Sequence, residues 1–471
     1  MDLLLNLDGP GGLADRIYRQ LTAAIHDGRL HPGEALPPSR DLAAQLQVSR
    51  STVTLVYERL GAEGYTDARV GAGTFVAQAV PASRRPRAVH RDRERPGPFD
   101  APTPPAVTPT AYDFHLGMPD ATLFPLAAWR RHVSRELDSV ATLSAHYGDP
   151  AGPLALREGI AHHLGVARSV AAEPDDIVVT AGAQQAIDLL ARVLLRPGDT
   201  VAVEEPGYPP FRQALEAHGA RVVGVAVDDE GIDPAGIPPH TRLVYVTPSH
   251  QFPTGVVMSR ARRLALLEWA ARHDAIIVED DYDSEYRFYD RPLEPLHVLD
   301  TAGVVAYIGT FSKALLPGLR MGYLIAPSRL VQALRNARRL ADWHGDLITQ
   351  GALARLMESG EYAAHIRRAR RAYRARHSAI SAVLVRDFAH VLDVLPSSAG
   401  LHLCALIRDA TPGTARRVRD AAAVSGVAVE TLDAFCADLP REGLALGFGA
   451  IQLDQIDDGL RLLAAAFRRV A

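Results

Sequence analysis

The chain has 471 residues, 47% hydrophobic and 23% charged, with a formal net charge of −4. This composition fits a globular protein with a large core and excludes a disordered or strongly basic chain. No apolar run approaches the roughly 18 residues of a membrane span, the opening MDLLLNLDGPGG lacks a basic leader, and Cys404 and Cys436 have neither disulfide-framework nor metal-ligand spacing. A cytoplasmic protein without a metal is expected.

In chain order, residues 1–77 read as three helices and a hairpin. Leu13, Ile17, Leu21 and Ile25 recur every four residues and predict the apolar stripe of a first helix. Ser39 is the expected N-cap of a short second helix, SRDLAAQL, which buries Leu42, Ala43 and Leu46. The turn Gln47-Val48-Ser49 follows, and Ser49 caps a third helix whose inner face is Val53, Val56 and Leu60. Two helices joined by so short a turn form a helix-turn-helix. YTDARVGAGTFVA then predicts two short strands around Gly71 and Gly73, a β-wing.

The outer face of the third helix carries the chemistry of this unit. Arg50, Ser51, Thr52 and Thr54 have no core duty and lie in the first turns, where such a helix meets base edges in the major groove. Arginine reads guanine bidentately, and hydroxyls anchor phosphates. Arg40 and Arg69 are placed to hold the backbone, with Ser49 and Gly71 at the edges of the same surface. Residues 1–77 hold seven Arg against nine Asp plus Glu, so operator binding requires the charges to segregate onto one face of a dimer.

Residues 78–111 contain eight prolines and six arginines, which predicts an extended linker. A solvated spacer and a weak nucleic-acid contact are both compatible with it. From Tyr112 to Ala471 strands and helices alternate: DIVVTAG, TVAVEEPGY, RVVGVAV, RLVYVTPS, AIIVEDDYD and VVAYIGTFSK are buried-strand candidates. The pattern predicts an α/β domain with a mainly parallel sheet, whose ligands gather at the carboxyl ends of the strands.

One residue stands out there. The chain has 51 Lys plus Arg, and Lys313 is its only lysine. Arginine cannot condense with an aldehyde, whereas a lysine of lowered pKa forms a Schiff base. Its neighbours fit a phosphorylated pyridine aldehyde. Thr310, Ser312, Arg320 and the helix start at Gln184 suit the phosphate, and Asp280 suits a pyridinium nitrogen.

Residues 28–65, GRLHPGEALPPSRDLAAQLQVSRSTVTLVYERLGAEGY, and the wing VGAGTFV resemble the winged helix of GntR-type regulators. YGDPAGPLALREGIA, TAGAQQAIDLLARVLLRPGD, EEPGYPPFR, VYVTPSHQFPTG, VEDDYDSEYR and YIGTFSKALLPGLRMGYL resemble fold-type I aminotransferases. Together they are similar to the MocR/GabR family. That resemblance implies a fold-type I aminotransferase-like α/β domain behind an N-terminal winged helix-turn-helix. It also implies pyridoxal 5'-phosphate as cofactor and a head-to-tail homodimer in which each winged helix crosses to its partner. By family role Tyr208 stacks on the cofactor ring, Tyr282 contacts its phenolic oxygen, and Ala183 and Gln184 hold phosphate. Tyr147 would reach the neighbouring subunit's phosphate.

Departures from the aminotransferase pattern are also legible. Phe252 replaces the ring-contacting asparagine of NPTG, leaving His250 or Gln251 to take its task, and Ala445 stands where the carboxylate-gripping arginine belongs. Pro209 and Pro210 follow the GY tyrosine where GABA-responsive members carry an arginine. The expectation is a regulator that binds operator DNA and senses pyridoxal phosphate, or an amino acid or amine, through Lys313. An aminotransferase with an accessory winged helix is the alternative, followed by a DNA-binding protein whose large domain lacks the cofactor.

Overall fold

The computed structural model describes residues 5–7, 12–69, 71–78, 110–140, 146–288, 294–438 and 440–470. These fall into two compact units, one within Met1–Pro96 and one within Gly97–Ala471. The linker expected over 78–111 lies almost wholly outside the described residues.

In the first unit, α1 (Leu13–His26), α2 (Ser39–Leu46) and α3 (Arg50–Ala62) precede β1 (Thr66–Arg69) and β2 (Gly73–Val76). Ile17, Leu21, Ile25, Val56 and Leu60 share one core, and each fully buried aliphatic side chain contributes about 2 kcal/mol. Leu13, the first member of the expected stripe, begins α1 and is 43% exposed. Ser39 is not the N-cap of α2. Pro38 holds that position in extended backbone, and the Ser39 hydroxyl accepts from Arg50 Nε at 3.4 Å. Gln47 turns the chain through the left-handed region at φ 53°, and the Ser49 hydroxyl caps α3 by accepting from Thr52 N–H at 3.2 Å. β1 and β2 pair antiparallel from Thr66↔Val76 to Arg69↔Gly73, forming the wing.

The second unit begins with β3 (Tyr112–Asp113) and is built on an eight-stranded sheet. Its strands are β4 (Ile177–Thr180), β5 (Thr200–Glu205), β6 (Arg221–Asp228), β7 (Gly231–Ile232), β8 (Thr241–Val246), β9 (Ile276–Asp281), β10 (Val305–Thr310) and β11 (Gly322–Ile325). Their order is β4-β11-β10-β9-β8-β5-β6-β7, and only β7 and β11 run against the rest. Every residue of β4, β5, β9, β10 and β11 is buried, because both faces of the sheet are covered. Alternation sorts the side chains: Val278, Ala306 and Ile308 enter one core, while Ile277 and Tyr307 enter cores on the opposite face. The six strands expected from sequence are all present. β11 was not anticipated; its GYLI is a short antiparallel insert hidden in a motif-rich stretch.

A smaller sheet comprises β12 (Leu392–Val394), β13 (His402–Ile407), β15 (Glu430–Thr431) and β16 (Gly443–Gly447), while β14 (Val427–Ala428) pairs in parallel with β3. One face of this sheet sends Leu403, Ala405, Leu444 and Leu446 into a core with the helices Glu361–Asp387 and Ile456–Val470. No helix among the described residues is long and apolar enough to cross a membrane.

Candidate functional site

The carboxyl ends of β4, β9 and β10 open onto one cavity of about 290 Å³. Ala183, Gln184, Tyr208, Asp280, Tyr282, Thr310, Ser312, Lys313 and Arg320, all expected from sequence, line it together. Lys313 Nζ donates to Gly117 O at 2.8 Å. Burial pushes its pKa below the ordinary value, with Asp283 and Asp280 pulling the other way.

Asp280, in β9, accepts from the Tyr245 hydroxyl at 2.9 Å through Oδ2. Its Oδ1 is buried without a partner. Burial raises the carboxyl to about 7, which an adjoining cationic ring nitrogen would reverse.

At the other end Gly182, at φ 83°, precedes the helix Ala183–Leu194, whose N-terminus has no side-chain cap. A Cβ on Gly182 would lie 3.1 Å from the Arg320 guanidinium, which donates to Ala181 O at 2.7 Å. Thr310 and Ser312 hydroxyls sit 3.0 Å apart on the same side. Uncapped helix N–H groups, two hydroxyls and a guanidinium make an anion cradle. The donor set and the orphaned Asp280 Oδ1 fit the phosphate and ring nitrogen of a phosphorylated pyridine.

Neither His250 nor Gln251 is among the residues that line the cavity. Gln251 is buried and donates to Pro206 O at 2.8 Å and Phe252 O at 2.7 Å. His250 does not line the cavity. Its carbonyl accepts from the Tyr282 hydroxyl at 2.9 Å, and its Nδ1 lies 3.0 Å from Asp283 Oδ2. It therefore orients Tyr282 and Asp283, and Phe252 itself forms the wall, edge-on to Tyr208 with ring centroids 5.2 Å apart.

Gly117, Tyr245, Asp283 and His402 were not anticipated as members of the site. His402 lines the cavity, and burial holds its pKa well below the ordinary value. His250, Asp283 and His402 bring three possible metal-ligand atoms within 4.8 Å of one another. His402 Nε2 lies 3.1 Å from Pro253 O, and His250 Nδ1 lies 3.0 Å from Asp283 Oδ2. Tyr147 stays off this cavity, 72% exposed and stacked on Trp343 at 4.5 Å.

On the first unit the Arg50–Ser39 contact places the starts of α2 and α3 side by side. Arg40, Arg50 and Ser51 are exposed there, and Thr52 and Thr54 are half-buried. The Ser49 hydroxyl is shared by Thr52 N–H, Ser51 and Thr52 side chains. In the wing the Arg69 guanidinium lies over the Phe75 ring at 4.5 Å, and Gly71 turns at φ 78°. Among the described residues none of Arg40, Arg50 and Arg69 is in an ion pair. Leu55, 58% exposed, joins this face without having been expected there.

A DNA-reading winged helix and an aminotransferase-type cavity thus occur in one chain. Residues 13–76 match the family described as bacterial regulatory proteins, gntR family, and residues 117–435 match aminotransferase class I and II. The chain is 34% identical to the probable rhizopine catabolism regulatory protein MocR of Rhizobium meliloti, over 99% of its own length and 96% of that protein's. It is 39% identical to the HTH-type transcriptional regulator TauR of Rhodobacter capsulatus, over 79% and 80%. A solved Pyrococcus horikoshii kynurenine aminotransferase, in complex with PMP, superposes with a TM-score of 0.68 at 29% identity, covering 75% of this chain and 89% of that one. The chain belongs to the MocR/GabR family of GntR-type transcriptional regulators, in which a winged helix is joined to a fold-type I aminotransferase-like domain.

Proposed function

We propose that this regulator holds pyridoxal phosphate on Lys313 and that a change at that lysine, made by an arriving amine or amino acid or by the cofactor itself, alters operator binding. The observation that carries the reading is the coexistence, in one cavity, of the chain's only lysine and a buried Asp280 oxygen with no partner. Bound there, the cofactor supplies an aldehyde carbon that condenses reversibly with a primary amine and releases water. Lys313 provides the amine, made nucleophilic by burial. Asp280, set by Tyr245, pairs with the ring nitrogen, and Tyr208 and Phe252 confine the ring. Ala183, Gln184, Thr310, Ser312 and Arg320 hold the phosphate, while Tyr282 and His250 set the phenolic-oxygen side.

Sensing follows only when a ligand binds two arrangements of the protein with different affinity. Arg50, Ser51, Thr52 and Thr54 read bases, with Ser49 as cap and Arg40, Arg69 and Gly71 at the phosphates, and residues 78–111 link this unit to the sensor. The protein acts as a homodimer, head to tail. Tyr147, exposed and away from its own cavity, serves the neighbouring subunit's phosphate.

Residual transamination is the second reading, favoured by the likeness to solved aminotransferases. Against efficient turnover, Ala445 is a buried β16 residue that offers no charge to a substrate carboxylate. The deciding experiment mixes the cofactor-loaded protein with amines and amino acids, follows its visible spectrum, and assays for keto acid. A stable shift that alters operator affinity supports the sensor. Steady keto-acid release with operator affinity unchanged overturns it.

A further inference from the structure

Once Lys313, Arg320 and Asp280 are assigned to the aldehyde, phosphate and ring nitrogen, the cavity has no fixed cation left among its described lining residues. His402 is kept neutral by burial. Asp283 Oδ2 lies 3.0 Å from His250 Nδ1.

The small sheet holds a further carboxylate, Glu430, against the Leu116–Gly117 segment that lines the cavity. Ala445 in β16 lies opposite Cys404 in β13 on one side and Glu430 in β15 on the other. Directly opposed residues share a face. Leu403, Ala405, Leu444 and Leu446 go to the core, so His402, Cys404, Ala445 and Glu430 occupy the other face, where His402 reaches the cavity. Glu430 therefore stands beside the position that an arginine takes in aminotransferases.

Two hydrogen bonds tie Glu430 to the reactive lysine. Its Oε1 accepts from Leu116 N–H at 2.9 Å, and the next residue, Gly117, accepts from Lys313 Nζ through its carbonyl at 2.8 Å. Successive Cα atoms are only about 3.8 Å apart, so the carboxylate and the amine are held by adjoining links of one segment. His115 is held first by Asp113, whose Oδ1 lies 2.7 Å from its Nδ1, and only secondarily by Glu430.

We propose that Glu430 makes this cavity select an amine whose far end is a second ammonium group, a diamine, over one whose far end is a carboxylate. The inference rests on the reading that the cofactor is held by Lys313. The ligand's first amine replaces Lys313 at the aldehyde carbon. The carbon–nitrogen double bond to the ligand forms as the one to lysine breaks, the lysine leaves as a free amine, and no electrons are exchanged. Glu430 receives the second ammonium.

The test titrates the cofactor-loaded full chain with putrescine, butylamine and γ-aminobutyrate, following the absorbance of the bound cofactor. Putrescine is expected to half-saturate at least about tenfold below γ-aminobutyrate, with butylamine between them, a margin typical of one charge-assisted contact. Glu430→Gln should erase the advantage of putrescine over butylamine, and Glu430→Arg should reverse the order. Borohydride reduction of each protein first shows whether the cofactor is on Lys313, a readout independent of Glu430. Equal or tighter binding of γ-aminobutyrate by the unaltered chain, which needs no variant, overturns the proposal. So does a spectrum that no amine moves, or an unchanged preference in a loaded Glu430→Gln protein. A missing adduct in the unaltered chain instead overturns the Lys313 reading and the proposal with it.

Discussion

The Tyr245 hydroxyl donates to Asp280 Oδ2 at 2.9 Å, which leaves Oδ1 buried and unpartnered at the cavity. Burying a carboxylate with one oxygen unmatched costs several kcal/mol in the absence of a cationic partner. A protonated ring nitrogen at Oδ1 would offset that cost.

That cost has a pH signature. Asp280 is raised by burial from 3.8 to about 7 in the folded, unloaded protein. Between those values the folded state holds the proton that the unfolded state has lost, so unfolding stability falls as pH rises through the window. Asp280→Asn should flatten part of this decline in melting temperature between about pH 4 and 7. Glu204 and Glu279, each raised to about 7, contribute the same sign and remain. The same variant should bind the cofactor roughly tenfold or more weakly, the loss of a charge-assisted hydrogen bond. An unchanged melting profile would count against the buried, protonated carboxyl.

Lys313→Ala should abolish the borohydride-reducible adduct while leaving the fold intact, since among the described residues the side chain makes one hydrogen bond, to Gly117 O. Mass spectrometry of the reduced protein reads the outcome. An adduct that survives would place the aldehyde elsewhere.

Gly182→Ala combines two penalties. The residue sits at φ 83°, and the new Cβ would be 3.1 Å from the Arg320 guanidinium. A stability loss of about 1 kcal/mol is expected, together with weaker binding of pyridoxal phosphate relative to pyridoxal. Calorimetry with the two ligands separates a damaged phosphate cradle from a general loss of fold.

Arg50→Ala should weaken operator binding by about 1–3 kcal/mol in a manner that depends on base sequence. Arg40→Ala should weaken it on all DNA and reduce the salt slope by about one. Fluorescence anisotropy on operator and scrambled duplexes at several salt concentrations distinguishes them. Equal losses for Arg50→Ala on both duplexes would make it a phosphate contact.

How much of this was legible in the sequence depended on how local each cause was. Val53, Val56 and Leu60 follow helical period, and β9 and β10 announce themselves by β-branched runs, so these elements could be read directly. Lys313 was conspicuous because it is alone among arginines. The carbonyl that holds its amine belongs to Gly117, 196 residues away, and no spacing rule links them. Tyr245 was hidden for the same reason: its place beside Asp280 comes from the neighbouring registers of β8 and β9. Ser39 misled because its residue type suits a cap, yet Pro38 already has the extended backbone that starts α2. The facing of His250 was not legible because proximity in sequence to Phe252 does not determine it; its ring turns toward Asp283 and Ser397.

A chain with one lysine also carries its own conformational reporter. A lysine-specific endoprotease has a single bond to cut, between Lys313 and Ala314, and Ala314 is buried. Cleavage into two fragments then measures how often this segment opens, undiluted by other sites. Because the side chain that the protease must recognise is the one proposed to hold the aldehyde, occupancy and opening are read on the same gel.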